Sequence, residues 1–344
     1  MNKLNSILAV ALLAITFTSC KKDEEPIIVA PPSDGSTLTL EGKTAVSPYA
    51  NTVYADLSTD KQTAIDRKSW NIAFTSDSKF KVLLNAAYQS TAVATSKTDI
   101  NTVTLADPGT TVNLNHDIMD TKTVSLVDYW DGDITKTAFA EEISATDGNN
   151  KVYLLSFEGN KENDKWFKIK VTRSGSGYKI QYARLGETTI KTLDVTKDSN
   201  FNLRFVSLEN NKIVNVEPEK DKWDISWGYS TYNSGLGSPY WVQDLIMLNN
   251  FAGVQAAEVL TTSFTYAAFT EANIAGLTFS GTRDAIGTKW RSTQPATGAK
   301  TDRFYVIKDA SGNVYKLKFV SMGVGSDGGE RGKPVIEYKL VKKG

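Results

Sequence analysis

Asp302-Arg303-Phe304-Tyr305-Val306-Ile307-Lys308, Asp309-Ala310-Ser311-Gly312-Asn313 and Val314-Tyr315-Lys316-Leu317-Lys318-Phe319 follow one another without a break, and this stretch decides the fold class. Both outer runs are rich in β-branched and aromatic residues. The second alternates apolar and cationic side chains with period two, as a strand with one buried face does. The inner five residues are turn formers, so the unit reads as a β-hairpin over 303–308 and 314–322. A last strand, Val335–Lys342, follows a glycine-rich loop. Working outward, residues 37–40, 70–75, 152–157, 166–171 and 201–208 read as further strands, with 214–216 continuing the last of these. No segment carries the period of a long amphipathic helix. The expected fold is all-β.

The chain repeats itself at a spacing near 153 residues. Lys68-Ser69-Trp70-Asn71-Ile72 matches Asp221-Lys222-Trp223-Asp224-Ile225, and Trp130 matches Trp290. Residues 152–155 match 304–307, residues 165–171 match 313–319, and residues 178–182 match 334–338. Two tandem β domains are expected, 36–187 and 188–344, each of ordinary domain size and each with its own core. Trp70 and Trp223 are read as core residues.

Ahead of them stands a targeting segment. Lys3 precedes an apolar run through Phe17 that is too short to span a bilayer and suits a signal peptide, residues 1–19. The run ends in Thr18-Ser19-Cys20, the form of a lipobox, and Cys20 is the only cysteine in the chain. Lipidation at Cys20 is expected, followed by a charged, proline-bearing tether over 20–35. The acidic Asp23-Glu24-Glu25 resembles the export signal of lipoproteins displayed on the outer face of an outer membrane.

Composition excludes much. Lys+Arg and Asp+Glu both number 39, so no basic footprint for nucleic acid exists. One cysteine allows no internal disulfide, and one histidine allows no multi-histidine metal site. Gly323-Val324-Gly325-Ser326-Asp327-Gly328 matches a dinucleotide pattern but does not open a helix, so it is read as a loop. Asp128, Asp131 and Asp133 are read as a turn rather than a calcium loop. No nucleophile and base can be paired, and no enzymatic activity is expected.

The repeated Trp-Asn/Asp-Ile segment, the stretch 302–319 and Gly329-Glu330-Arg331-Gly332-Lys333-Pro334 resemble the HmuY family of haem-binding surface lipoproteins. The resemblance implies a hand-shaped β fold with haem held between finger-like hairpins. It also implies haem capture for iron acquisition, with a host haemoprotein and an outer-membrane receptor as partners. Family members ligate iron through histidine or methionine in the finger segments. Here His116 and Met119 occupy that stretch in the first repeat, and Tyr129 is a further oxygen-donor candidate. The second repeat has neither His nor Met between Leu248 and Ser321. Axial ligand atoms lie about 4 Å apart across the ring, so residues three apart on one segment cannot both serve.

Residues 228–241 interleave Tyr229, Tyr232, Tyr240 and Trp241 with glycine and serine. They are candidates for stacking on a ligand ring, or for tucking onto the body as a long surface loop. The alternatives to haem capture are a glycan-binding surface lipoprotein and a structural or adhesive one.

Overall fold

A computed structural model describes residues 30–109, 112–115 and 119–344. Cys20 and His116 lie outside the described residues. The first half supplies β1 (Gly35–Thr39), β2 (Asn51–Asp56), β3 (Lys61–Asp66), β4 (Ile72–Thr75), β5 (Val82–Leu84), β6 (Thr91–Ala94), β7 (Val152–Ser156), β8 (Phe167–Ser174) and β9 (Gly177–Arg184). The second half begins with β10 (Lys191–Val195), β11 (Leu203–Ser207), β12 (Lys212–Val214), β13 (Ile225–Asn233), β14 (Pro239–Leu248) and β15 (Gln255–Leu260). It closes with β16 (Arg291–Ser292), β17 (Gly298–Ala299), β18 (Arg303–Lys308), β19 (Val314–Ser321) and β20 (Val335–Lys342). The described helices are short 3₁₀ segments of three to six residues, and the fold is all-β, with every strand pair antiparallel.

The sheets do not respect the boundary between the repeats. One five-stranded sheet runs β6-β7-β8-β9 and is completed by β10 from the second half. The other runs β15-β18-β19-β20 and is completed by β1 from the first half. Two central four-stranded sheets are mixed in the same way. The β2–β3 hairpin joins β13 and β14, and the β11–β12 hairpin joins β4 and β5. The expected boundary near Gly186 is therefore corrected: residues 32–344 are one compact unit. The physical reason is reciprocal pairing, which gives each half the edge strand and hairpin of the other.

The repeated Trp-Asn/Asp-Ile motif holds this exchange together. The Asn71 N–H donates to Val206 O at 2.8 Å, and its Oδ1 accepts from the Leu208 N–H at 2.7 Å. The Asp224 N–H donates to Ala55 O at 2.8 Å, and its Oδ2 accepts from the Leu57 N–H at 2.8 Å. Asn85 and Asn249 brace the two sites alike: Asn85 Nδ2 donates to the carbonyls of Arg67 and Trp70, Asn249 Nδ2 to those of Lys220 and Trp223. Each motif thus clasps the hairpin of the other half through hydrogen bonds made in a buried place.

Both five-stranded sheets are covered on both faces. Inward, Tyr315, Leu317 and Phe319 of β19 join one core, and Phe167, Ile169 and Val171 of β8 join the other. Outward, Lys316 and Lys168 occupy matching places beneath covering segments. Lys316 Nζ donates to Tyr266 O at 2.6 Å and Phe269 O at 2.9 Å, and Lys168 Nζ donates to Val103 O at 2.7 Å. Their alkyl stems pack while the ammonium groups terminate loop carbonyls.

One sequence reading changes and another holds. Residues 214–216 do not continue the strand before them: the chain turns at 208–211 and β12 pairs back on β11. The loop at 323–328 is closed by Asp327. Its carboxylate accepts the backbone N–H groups of Met322, Gly323, Val324, Gly329 and Ala299, at 2.7 to 3.3 Å. These amides hold the Asp327 carboxyl below the usual carboxylate range against the opposing effect of burial. An internal carboxylate occupies the amide nest that a phosphate would need, so the loop reading holds.

Candidate functional site

The aromatic stretch 228–241 is a β-hairpin rather than a long loop. Tyr232 pairs with Tyr240 and Thr231 with Trp241, and the turn is closed by Ser234 N–H to Ser238 O at 3.1 Å. Glycine and serine between the aromatics hide the strand period from the sequence.

Two of its rings are used internally. Tyr229 stacks on Trp241 with centroids 4.1 Å apart and planes at 9°. Tyr49 meets Tyr229 edge-on at 5.4 Å and stacks on Trp227 at 5.8 Å. The Arg67 guanidinium lies 4.8 Å from the Tyr229 ring, and Arg331 lies 5.2 Å from the Tyr49 ring. The Trp241 indole N–H donates to Ala86 O at 3.0 Å. Arg67 is itself fixed by its Nε and Nη1 donating to Tyr49 O and Ala87 O. This ladder binds first-half residues to the second-half hairpin, and Tyr229 and Trp241 each give one ring face to the other.

Beneath it Asp244, at the left-handed φ of 60°, accepts from Arg331 Nη2 at 2.9 Å and from the Tyr49 hydroxyl at 3.2 Å. Burial raises the Asp244 carboxyl, and Arg331 and Arg291 oppose the shift. Sequence reasoning missed Tyr49, Arg67, Asp244 and Arg331, because they are far apart along the chain and no local pattern joins them.

Tyr232 is partly buried, and its ring fills the space beside Gly287. A Cβ at Gly287 would meet the Tyr232 hydroxyl at 2.7 Å, and its φ is +53°, so only glycine fits there. Tyr240 differs from the other three: it is 42% exposed.

The hairpin tip meets the first repeat. Leu236 on the turn is 60% exposed, and a Cβ at Gly237 would lie 4.0 Å from the Thr121 methyl. Thr121 opens a 3₁₀ turn, Thr121–Leu126, capped by the Asp120 carboxylate accepting from the Lys122 N–H at 2.9 Å. Met119, two residues before, is 76% exposed. The same segment is anchored by Leu114 and Leu126 against Val152, Leu154 and Trp166 of the first lobe. Met119 and Leu236 thus lie, along the chain, within two residues of the point where Gly237 approaches Thr121.

Tyr129 is placed apart from that tip by its own contacts. Its ring stacks on Trp130 at 4.0 Å with Lys136 Nζ 4.8 Å from the centroid. Asp128 accepts the Leu84 and Ala138 N–H groups, and Asp131 and Asp133 accept N–H groups within their own turn. Among the described residues no group of three or more His, Cys, Asp or Glu side chains is placed to hold a metal ion.

The donor chemistry of a haem site can be tested against these placements. Met247 and Met322 are sealed in cores, whereas Met119 is 76% exposed. A thioether is one of the axial donors that haem iron accepts.

Among the described residues no helix is long and apolar enough to cross a membrane. No curated protein and no solved structure matches the chain. Residues 199–338 match the family described as HmuY protein. That span runs from just before β11 into β20, so the second repeat is HmuY-like in sequence and stands within an all-β unit that the first repeat completes.

Proposed function

We propose that this chain is a lipid-anchored surface protein that captures haem for iron acquisition. The observation that carries the reading is the HmuY family match over residues 199–338. The exposed Met119, two residues before the Thr121 that the β13–β14 tip approaches, supports a site at the junction of the 119–126 segment and that hairpin. Met119 or His116 would supply one axial ligand, and haem bound there brings its own iron chemistry. The anchor is the acyl chain on Cys20, carried on the charged tether, and a haem-donating host protein and an outer-membrane receptor would be the partners. A glycan-binding reading is weakened, because Tyr229 and Trp241 each give one ring face to the other.

The test is a titration of the mature protein with ferric and ferrous haem, followed by the Soret band. Saturable binding with a spectrum altered in Met119→Ala or His116→Ala is expected. Absence of binding overturns the reading. Binding with both variants unchanged moves the site elsewhere. The anchor is tested separately: Cys20→Ser should leave the membrane fraction, and its retention there would contradict lipidation.

A further inference from the structure

A cavity of about 60 Å³ lies where the two central sheets face each other. Aligned aromatic pairs from the two repeats form its walls. Trp70 meets Phe205 edge-on at 4.7 Å, and Trp223 meets Tyr54 edge-on at 5.0 Å. The symmetry ends at the polar atoms. Tyr54 brings a hydroxyl where Phe205 has none, and Glu217 and Arg283 add charge to the lining. The Trp223 indole N–H has no hydrogen-bond partner among the described residues, although the residue is only 7% exposed.

Arg283 is held by its backbone: its N–H donates to Asp131 O and its carbonyl accepts from the Leu248 N–H, both at 2.8 Å. Its guanidinium makes no hydrogen bond among the described residues, and no carboxylate there comes within 4.0 Å of it. Its N–H donors therefore line the cavity beside aromatic walls, open to a ligand. The neighbouring acids do not meet them. Glu217 accepts the Leu203 N–H at 3.1 Å, and burial pushes its carboxyl up to about 8, which disfavours its charged form. Both Asp128 oxygens are already engaged by backbone amides, at 2.6 and 3.0 Å.

We propose that this cavity binds a small organic carboxylate, with Arg283 as the cation and the Trp223 indole N–H and Tyr54 hydroxyl as further donors. The volume sets the size. It holds a few waters, and it is well under the roughly 150 Å³ that admits a benzene ring. Acetate and propionate match it. A guanidinium fork is the side chain suited to a carboxylate, and aromatic walls accommodate the short alkyl end.

The test titrates the full mature chain with acetate and propionate at constant ionic strength, reading tryptophan fluorescence, since Trp70 and Trp223 line the cavity. A saturable change is expected, with acetamide at least about tenfold weaker. Arg283→Gln should lose about tenfold or more in affinity, while Glu217→Gln, which keeps a neutral group, should stay within about threefold. Arg283→Lys, which keeps the charge without the fork, should fall between, and it serves if Arg283→Gln does not fold. No saturable response, equal binding of acetamide, equal competition by chloride, or unchanged affinity in Arg283→Gln would each overturn the proposal. None of these outcomes depends on haem.

Discussion

Asn71 and Asp224 do the same work in the two repeats with different chemistry. Each accepts a backbone N–H from the hairpin of the other half, at 2.7 and 2.8 Å. Asn71 is neutral at every pH. Asp224 is 5% exposed, and burial, reinforced by Asp56 and Asp309, pushes its carboxyl up to about 8 against the pull of the Leu57 N–H. The comparison separates what the fold requires from what each half adds. The fold requires an acceptor at that place, and the charge state is free to vary. The same holds between the hairpins. β4 and β5 are short, whereas the aligned β13 and β14 reach 9 and 10 residues and carry the aromatic ladder and the exposed tip.

The most severe way to break this comparison is to separate the halves. A fragment of residues 188–344 lacks β1 and the β2–β3 hairpin, so two of its sheets have open edges. It should show no cooperative melting by circular dichroism alone, and should regain it on mixing with residues 32–187. A cooperatively folded fragment would mean that each repeat is self-sufficient.

Exchanging the clasp residues sharpens it. Asn71→Asp places a carboxyl in a fully buried site and should cost about 3 kcal/mol at pH 8, measured by urea unfolding. Asp224→Asn should act in the opposite sense. Because the folded Asp224 carboxyl titrates above its ordinary value, its contribution is present at low pH and is lost as pH rises from about 4 through 8. The variant should therefore show a shallower fall in stability over that range. Glu217 has the same sign and leaves part of the slope. An unchanged slope would show that Asp224 is ionised in the folded chain.

Smaller effects distinguish the hairpin's internal face from its open one. Trp241→Ala removes a stacked ring and a hydrogen bond to Ala86, and should cost about 2 kcal/mol. Tyr240→Ala, at the exposed side, should cost no more than about 0.5 kcal/mol. Equal costs would contradict the division into a bracing face and an exposed one.

Much of the local structure was legible in the sequence. The strands around the turn at 309–313 and the closing strand appear at the expected residues, because period two and turn chemistry are local signals. The exchange between halves was not legible. A sequence repeat shows that two segments share a plan, but not which copy of a hairpin pairs with which sheet, since β2 suits either partner by pattern alone. Arg283 and Glu217 gave no signal either. Both lie in connections between strands, and only non-local packing brings them to one cavity. The candidate haem site was legible as far as Met119 and the aromatic stretch. Its division into braced and open rings follows from Arg67 and Tyr49, far off in the chain.

The central claim is that two repeats complete one another in a single unit. Equilibrium urea unfolding of residues 32–344 tests it most directly, with one tryptophan kept as the fluorescent probe in each lobe, Trp166 in the first and Trp290 in the second. Reciprocal strand pairing predicts one transition with coincident midpoints for both probes and for circular dichroism. Two separated transitions, one per lobe, would contradict it.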